Sequence, residues 1–137
     1  MALQASNIFV NLPVKDLNRT KQFFAALGFE FNPQFTDDNA ACLLIGPNIF
    51  AMLLVEDYFR TFIRKEIADA SRTTEVLIAL SADSRGQVDE IADKALASGG
   101  SPANDPQDHG FMYSRSFQDP DGHIWEVLFM EPNHIEQ

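Results

Sequence analysis

Apolar and polar positions along the chain fall into a sequence of short elements that occurs twice. The stretch "NIFVNLPV", residues 7–14, reads as a strand, and polar residues follow it. Asp16 then stands as a helix N-cap, with Leu17, Phe23, Phe24 and Leu27 forming one apolar stripe and Gly28 in the stop position. "FEFNPQF" and "AACLLI" read as strands joined by the turn-forming "TDDN", and "GPN" turns the chain into a further strand, "IFAMLLV". The order is strand, helix, three strands.

The same grammar returns in the second half. "TEVLIAL", residues 74–80, reads as a strand. Ser84 and Gln87 form a capping-box pattern ahead of Val88, Ile91, Ala92, Ala95 and Leu96, which recur at the spacing of a buried helical face. Gly99 and Gly100 end that helix. A weak strand over 102–108 leads to "FMYSRSF", a "DPDG" turn and "HIWEVLFM". Between the halves, "EDYFRTFIRKEIADASR" predicts a connector with a short helix. The pattern predicts an α+β fold in one domain spanning residues 1–137: two βαβββ modules, 7–55 and 74–130, with the connector at 56–73. Each module leaves one sheet face uncovered by its helix. Pairing the bare faces would make a curved mixed sheet around a cup, which is the default place for a ligand.

Composition narrows the function classes. The chain of 137 residues is 45% apolar and carries 12 phenylalanines, so it can bury a core. Ten basic against twenty acidic residues give a net charge of −10, which repels phosphate backbones and anionic lipid and argues against nucleic-acid and membrane partners. No apolar run approaches the roughly 20 residues of a membrane span. The single cysteine, Cys42, cannot form an intramolecular disulfide, and the start "MALQASNIFVNL" lacks signal-peptide features. The expected compartment is the cytoplasm.

Glu126 is the residue that most invites a functional reading. It sits in "QDPDGHIWEV", inside a run otherwise built of buried-type side chains: Ile124, Trp125, Val127, Leu128 and Phe129. Strand alternation puts Trp125 on the helix-covered face and Glu126 on the bare one. Arg115, on the partnering strand, is the cation expected to compensate the acid. Cys42, in an apolar strand without an activating partner, reads as a small hydrophobe.

"NIFVNLPVKDLNRTKQFFAALGFEF" (residues 7–31) and "FQDPDGHIWEV" (residues 117–127) resemble the vicinal oxygen chelate superfamily, which includes glyoxalase I, extradiol dioxygenases and the fosfomycin- and bleomycin-resistance proteins. The chain looks closest to small predicted lactoylglutathione lyase-like members. The resemblance implies paired βαβββ modules, a homodimer, and a metal at the cup floor held by about four side chains. The last-strand carboxylate of the family falls on Glu126. The other ligand positions fall near Phe9, Met52 and Leu77, which offer no donor set for a divalent ion. Glu75 and Asn11 share strand parity with those positions, while His109 and His123 lie beside turns and His134 in the tail. No metal and no cofactor are therefore expected.

The sequence accordingly points to a metal-free protein that sequesters a small apolar or cationic compound. The expected cup lining is Phe9, Asn11, Phe50, Met52, Leu54, Glu75, Leu77, Arg115 and Glu126. The alternative is a lyase- or dioxygenase-type enzyme with a non-standard metal site, in which Glu126 would be the catalytic carboxylate.

Overall fold

The computed structural model describes residues 2–132, so His134 lies outside the described residues. The chain divides into two compact units, Met1–Ala68 and Asp69–Gln137.

In the first unit β1 (Ile8–Val14) leads into α1 (Leu17–Ala26). Asp16 caps that helix by accepting from the Arg19 amide at 3.1 Å. Gly28 follows the C-cap Leu27 with φ +105°, a left-handed conformation that glycine adopts without a Cβ penalty. Three further strands complete the unit: β2 (Glu30–Phe31), β3 (Ala40–Gly46) and β4 (Ile49–Val55). The sheet order is β1-β4-β3-β2, with β1 parallel to β4 and the other pairs antiparallel.

The strand expected over "FEFNPQF" is shorter than its pattern. The Asn32 side chain accepts from the Gln34 amide at 3.0 Å, and Pro33 opens a one-turn 3-10 helix, Pro33–Phe35, that ends the pairing. The "TDDN" turn forms as expected. Its Asp37 carboxylate accepts from the amides of Asn39 and Ala40 at 2.8 and 3.0 Å. The connector helix α2 (Glu56–Arg60) is a single short turn of helix.

The second unit repeats the arrangement. β5 (Leu77–Ser81) precedes α3 (Arg85–Ala97), and β6 (Ser101–Pro102), β7 (Gln107–Asp108), β8 (Met112–Gln118) and β9 (Ile124–Met130) follow. The order is β5-β9-β8-β6, with β7 also pairing β8 and with β5 parallel to β9. The capping box at Ser84 is present: Ser84 Oγ accepts from the Gln87 amide, and the Gln87 side chain accepts from the Asp83 amide, one residue earlier than the usual partner. Val88, Ala92 and Ala95 are buried, whereas Leu96 is 39% exposed and stands off the face expected to hold it. β5 starts three residues later than the apolar pattern suggested. The weak strand of 102–108 is two short strands separated by a loop.

The "DPDG" turn is the best-anchored piece of this unit. Asp119 is 3% exposed, and its carboxylate accepts from the amides of Asp121 and His123 and from the Trp125 indole N–H, each at 3.0 Å. Burial pushes the Asp119 carboxyl up, against the opposing influence of the His123 charge, the Trp125 indole and the Asp121 amide. Gly122 has φ +94°, and a Cβ on it would stand 2.7 Å from the Ala70 carbonyl oxygen, so the turn requires glycine on two grounds. Both sheets are mixed and neither closes into a barrel, as expected for this α+β class.

Candidate functional site

β9 lies between β5 and β8, so its residues 124–128 have cross-strand neighbours on both sides. Glu126 pairs with Ala79 on one side and Ser116 on the other. Alternation then divides the sheet. Phe117, Trp125 and Val127 are at most 1% exposed, on the face that carries α3. Ser114, Ser116 and Glu126 share the opposite face. There a cavity of about 390 Å³ is lined by Asn104, Asp105, Gln107, Ser114, Arg115, Ser116 and Glu126.

The loop between β6 and β7 supplies the cavity rim. The Asn104 amide donates to Ser116 Oγ at 2.9 Å, which fixes the loop over the strand, and Gln107 pairs with Ser114. Ser114 is 3% exposed, and its hydroxyl has no hydrogen-bond partner among the described residues. No fully enclosed side-chain nitrogen or oxygen among them lacks a partner, so this hydroxyl opens onto the cavity. Glu126, half-buried, likewise forms no ion pair or hydrogen bond among the described residues.

Arg115 does not do what the sequence suggested. Its guanidinium is turned to the helix side, where Nη1 donates to Asp89 at 3.1 Å and Asp93 at 2.8 Å, both on α3. Strand parity is the reason: residue 115 opposes Val127, whereas Glu126 opposes residue 116. The Tyr113 hydroxyl also donates to Asp89, at 2.6 Å, and Arg85 lies over the Tyr113 ring at 4.5 Å while pairing with Asp108. The Tyr113 hydroxyl and the Arg115 guanidinium hold the Asp89 carboxyl below its ordinary range, and the bond to Asp89 raises the Tyr113 phenol. This network is a bracket between helix and sheet.

The remaining expected lining residues separate. On the first sheet, Phe9, Asn11, Phe50, Met52 and Leu54 do share one face, by the registers Phe9–Phe50, Asn11–Met52 and Pro13–Leu54. Phe9 and Phe50 stack with ring centroids 4.9 Å apart, and the Asn11 side chain donates to the Phe9 carbonyl. Leu54, however, is 2% exposed and is core. Leu77 shares the Glu126 face and is 52% exposed. Glu75 lies in a bend ahead of β5, exposed, so the strand parity assigned to it does not apply. Burial pushes the Cys42 thiol up, in keeping with a small hydrophobe.

The expected apolar lining also differs from what surrounds Glu126, which is polar. Sequence reasoning passed over Asn104, Asp105, Gln107, Ser114 and Ser116. The two serines carried a legible signal, since in "MYSRSF" they alternate with the buried-face residues. The loop carried none, because its approach to Ser116 depends on tertiary structure.

The donor set does not suit a divalent metal. Of the four positions implied by family resemblance, only Glu126 offers an oxygen, and no group of three or more His, Cys, Asp or Glu among the described residues could hold an ion. His109 and His123 do not supply the shortfall.

Two mixed sheets, each with a parallel first-to-last strand pair, define an α+β fold of two similar units. Comparison with known proteins agrees. Residues 7–46 match the bleomycin resistance protein-like N-terminal family. A hypothetical protein from S. aureus is 28% identical, over 92% of this chain and 95% of that one, with a TM-score of 0.77. A glyoxalase-related enzyme from Fulvimarina pelagi, 20% identical over 93% and 88% of the two chains, gives 0.75 and shows the same fold. So does a fosfomycin resistance protein from Mesorhizobium loti, 16% identical over the full length of both chains, at 0.67. No curated protein matches the sequence. These matches show the fold of the vicinal oxygen chelate superfamily and support the resemblance of the chain to it. Among the described residues no helix is long and apolar enough to cross a membrane.

Proposed function

We propose that this protein binds a small molecule without the help of a metal, in the cavity of its second unit, and that Glu126 is the anchoring contact. One observation carries the reading: a carboxylate without a partner among the described residues shares a cavity of about 390 Å³ with the open hydroxyl of the buried Ser114. Polar groups held this way at a sheet centre are costly unless something satisfies them, and a cavity of this volume falls in the range of small-ligand sites. The poor donor set at the family's metal positions supports binding over metal-assisted turnover. Exposed Ile8, Phe9 and Leu77 on β1 and β5, which lie at the edges of their sheets, support association into a homodimer.

The test is a thermal-shift screen of a small-molecule library, run without added metal and again with nickel, zinc or manganese. Ligands that raise the melting temperature of wild type but not of Glu126→Gln are expected, because binding to the folded state alone raises stability. Melting that responds to stoichiometric metal and not to organic ligands would overturn the reading.

A further inference from the structure

We infer that the compound taken by this cavity is an organic cation bearing an ammonium or guanidinium group, an inference that rests on the binding role proposed above. The charges on the lining are Glu126, Asp105 and Arg115. Arg115 is already spent on the helix, where Asp89 and Asp93 both accept from its Nη1. Among the described residues, the two acidic residues of the lining therefore have no unpaired cation beside them in it. A phosphonate, phosphate or carboxylate ligand would enter against both charges, with no guanidinium available to turn toward it.

Ser114 supplies the second, independent observation. Its hydroxyl is on a residue 3% exposed, has no partner among the described residues, and opens onto the same cavity two residues along β8 from Ser116, the cross-strand neighbour of Glu126. A purely apolar ligand would cover that hydroxyl and the Glu126 carboxylate without satisfying either. An N–H-bearing cation satisfies both, because ammonium and guanidinium carry several donors and both protein groups accept. A bare divalent ion is the poorer fit, since fewer than three suitable acidic, His or Cys donors converge among the described residues. The ligand chemistry that remains is a charge-assisted hydrogen bond to Glu126, with hydroxyl and amide contacts from Ser114, Ser116, Asn104 and Gln107 around it.

Three probes with the same sugar ring and different charge test this: glucosamine, N-acetylglucosamine and glucuronate, with agmatine as a second cation of unrelated shape. Each is titrated into the 15N-labelled full chain at about pH 6, where carboxylates are ionised and the amines protonated, and the amides of Ser114, Ser116 and Glu126 are followed. Glucosamine and agmatine are expected to shift these amides saturably, and the neutral and anionic sugars not to. Glu126→Gln, and independently the exposed-loop variant Asp105→Asn, should weaken cation binding, the former about tenfold or more, the loss expected for a charged hydrogen bond. Asp38→Asn removes one charge from an exposed turn of the other unit and should leave binding unchanged.

If N-acetylglucosamine or glucuronate shifts the cavity amides while the cations do not, the cation assignment is wrong and the binding role stands. If none of the four probes shifts them and the broad library also yields no ligand, both fall. If Asp38→Asn weakens binding as much as Glu126→Gln, the cations are responding only to the net charge of −10, and the assignment is overturned.

Discussion

Asp119→Ala is expected to be among the most damaging single changes away from the hydrophobic core. The substitution removes the acceptor of three N–H donors at once: the amides of Asp121 and His123, and the indole of Trp125. The two amide bonds are worth about 1 kcal/mol each, and an indole N–H left unpaired costs about 1–3 kcal/mol. Trp125 is 0% exposed, so water cannot replace the lost acceptor without opening the core. Removing a buried carboxylate returns part of its desolvation cost, which leaves a net loss of about 2–4 kcal/mol. For a chain of this length the entropy of unfolding converts that loss to a fall in melting temperature of about 7–14 °C.

The assay is calorimetry or denaturant unfolding in a double-mutant cycle with Trp125→Phe, which keeps most of the ring and deletes the N–H. Asp119→Ala should cost about 1–2 kcal/mol less in the Trp125→Phe background, because the orphaned donor is gone. Equal losses in both backgrounds, or a fall below about 3 °C in the single variant, would refute the account of this turn. The pH dependence has a definite sign. Burial raises the folded-state pKa of Asp119 above the ordinary 3.8, so the folded chain keeps this proton to higher pH than the unfolded one. Wild type should therefore lose stability relative to Asp119→Asn as pH rises through that window.

Arg115→Met should lower the urea midpoint by an amount equivalent to about 1–2 kcal/mol through loss of the α3 bracket, and an unchanged midpoint would contradict it. Because the Asp89 carboxyl is depressed, its contribution is present above the ordinary 3.8 and lost as pH falls through the folded value, so the gap between wild type and Arg115→Met should narrow in acid. In an ultraviolet titration, Asp89→Asn should bring the ionisation of Tyr113 down, since the hydrogen bond to Asp89 is the main cause of its elevation. Gly122→Ala should destabilise by about 1–3 kcal/mol, from the left-handed backbone and the approach to the Ala70 carbonyl; a neutral result would mean the turn relaxes freely. Light scattering at micromolar concentration should report a dimer, and Phe9→Lys, which places charge on an exposed apolar strand, should shift it toward monomer.

Long periodic segments were legible in the sequence because their signals are local. Asp16, Ser84 and the glycines after each helix state where the helices begin and end, and the parity of Trp125 against Glu126 states which face each occupies. Short elements were not, because Asn32 and Pro33 divert the chain by a side-chain cap that apolar periodicity does not register. The site was read with a similar bias. Glu126 was placed by alternation together with the family resemblance and Leu77 by the resemblance, and the registers put both on one face. Arg115 was misassigned because proximity in the chain to the final turn outweighed its parity, and that parity sends it to Asp89 and Asp93. Asn104 and Gln107 come to the cavity through a loop whose path no periodicity encodes.

Strand β8 keeps two separate accounts along one backbone. Tyr113, Arg115 and Phe117 tie the sheet to α3, while Ser114 and Ser116, one step away, line the cavity. Drift at the even-numbered positions therefore changes what the cavity accepts while the helix stays fastened, and drift at the odd-numbered positions does the reverse. A lineage built this way can change ligand many times by small substitutions and still leave every descendant with one shape. Shared architecture among such descendants then dates their common ancestry and carries little information about diet.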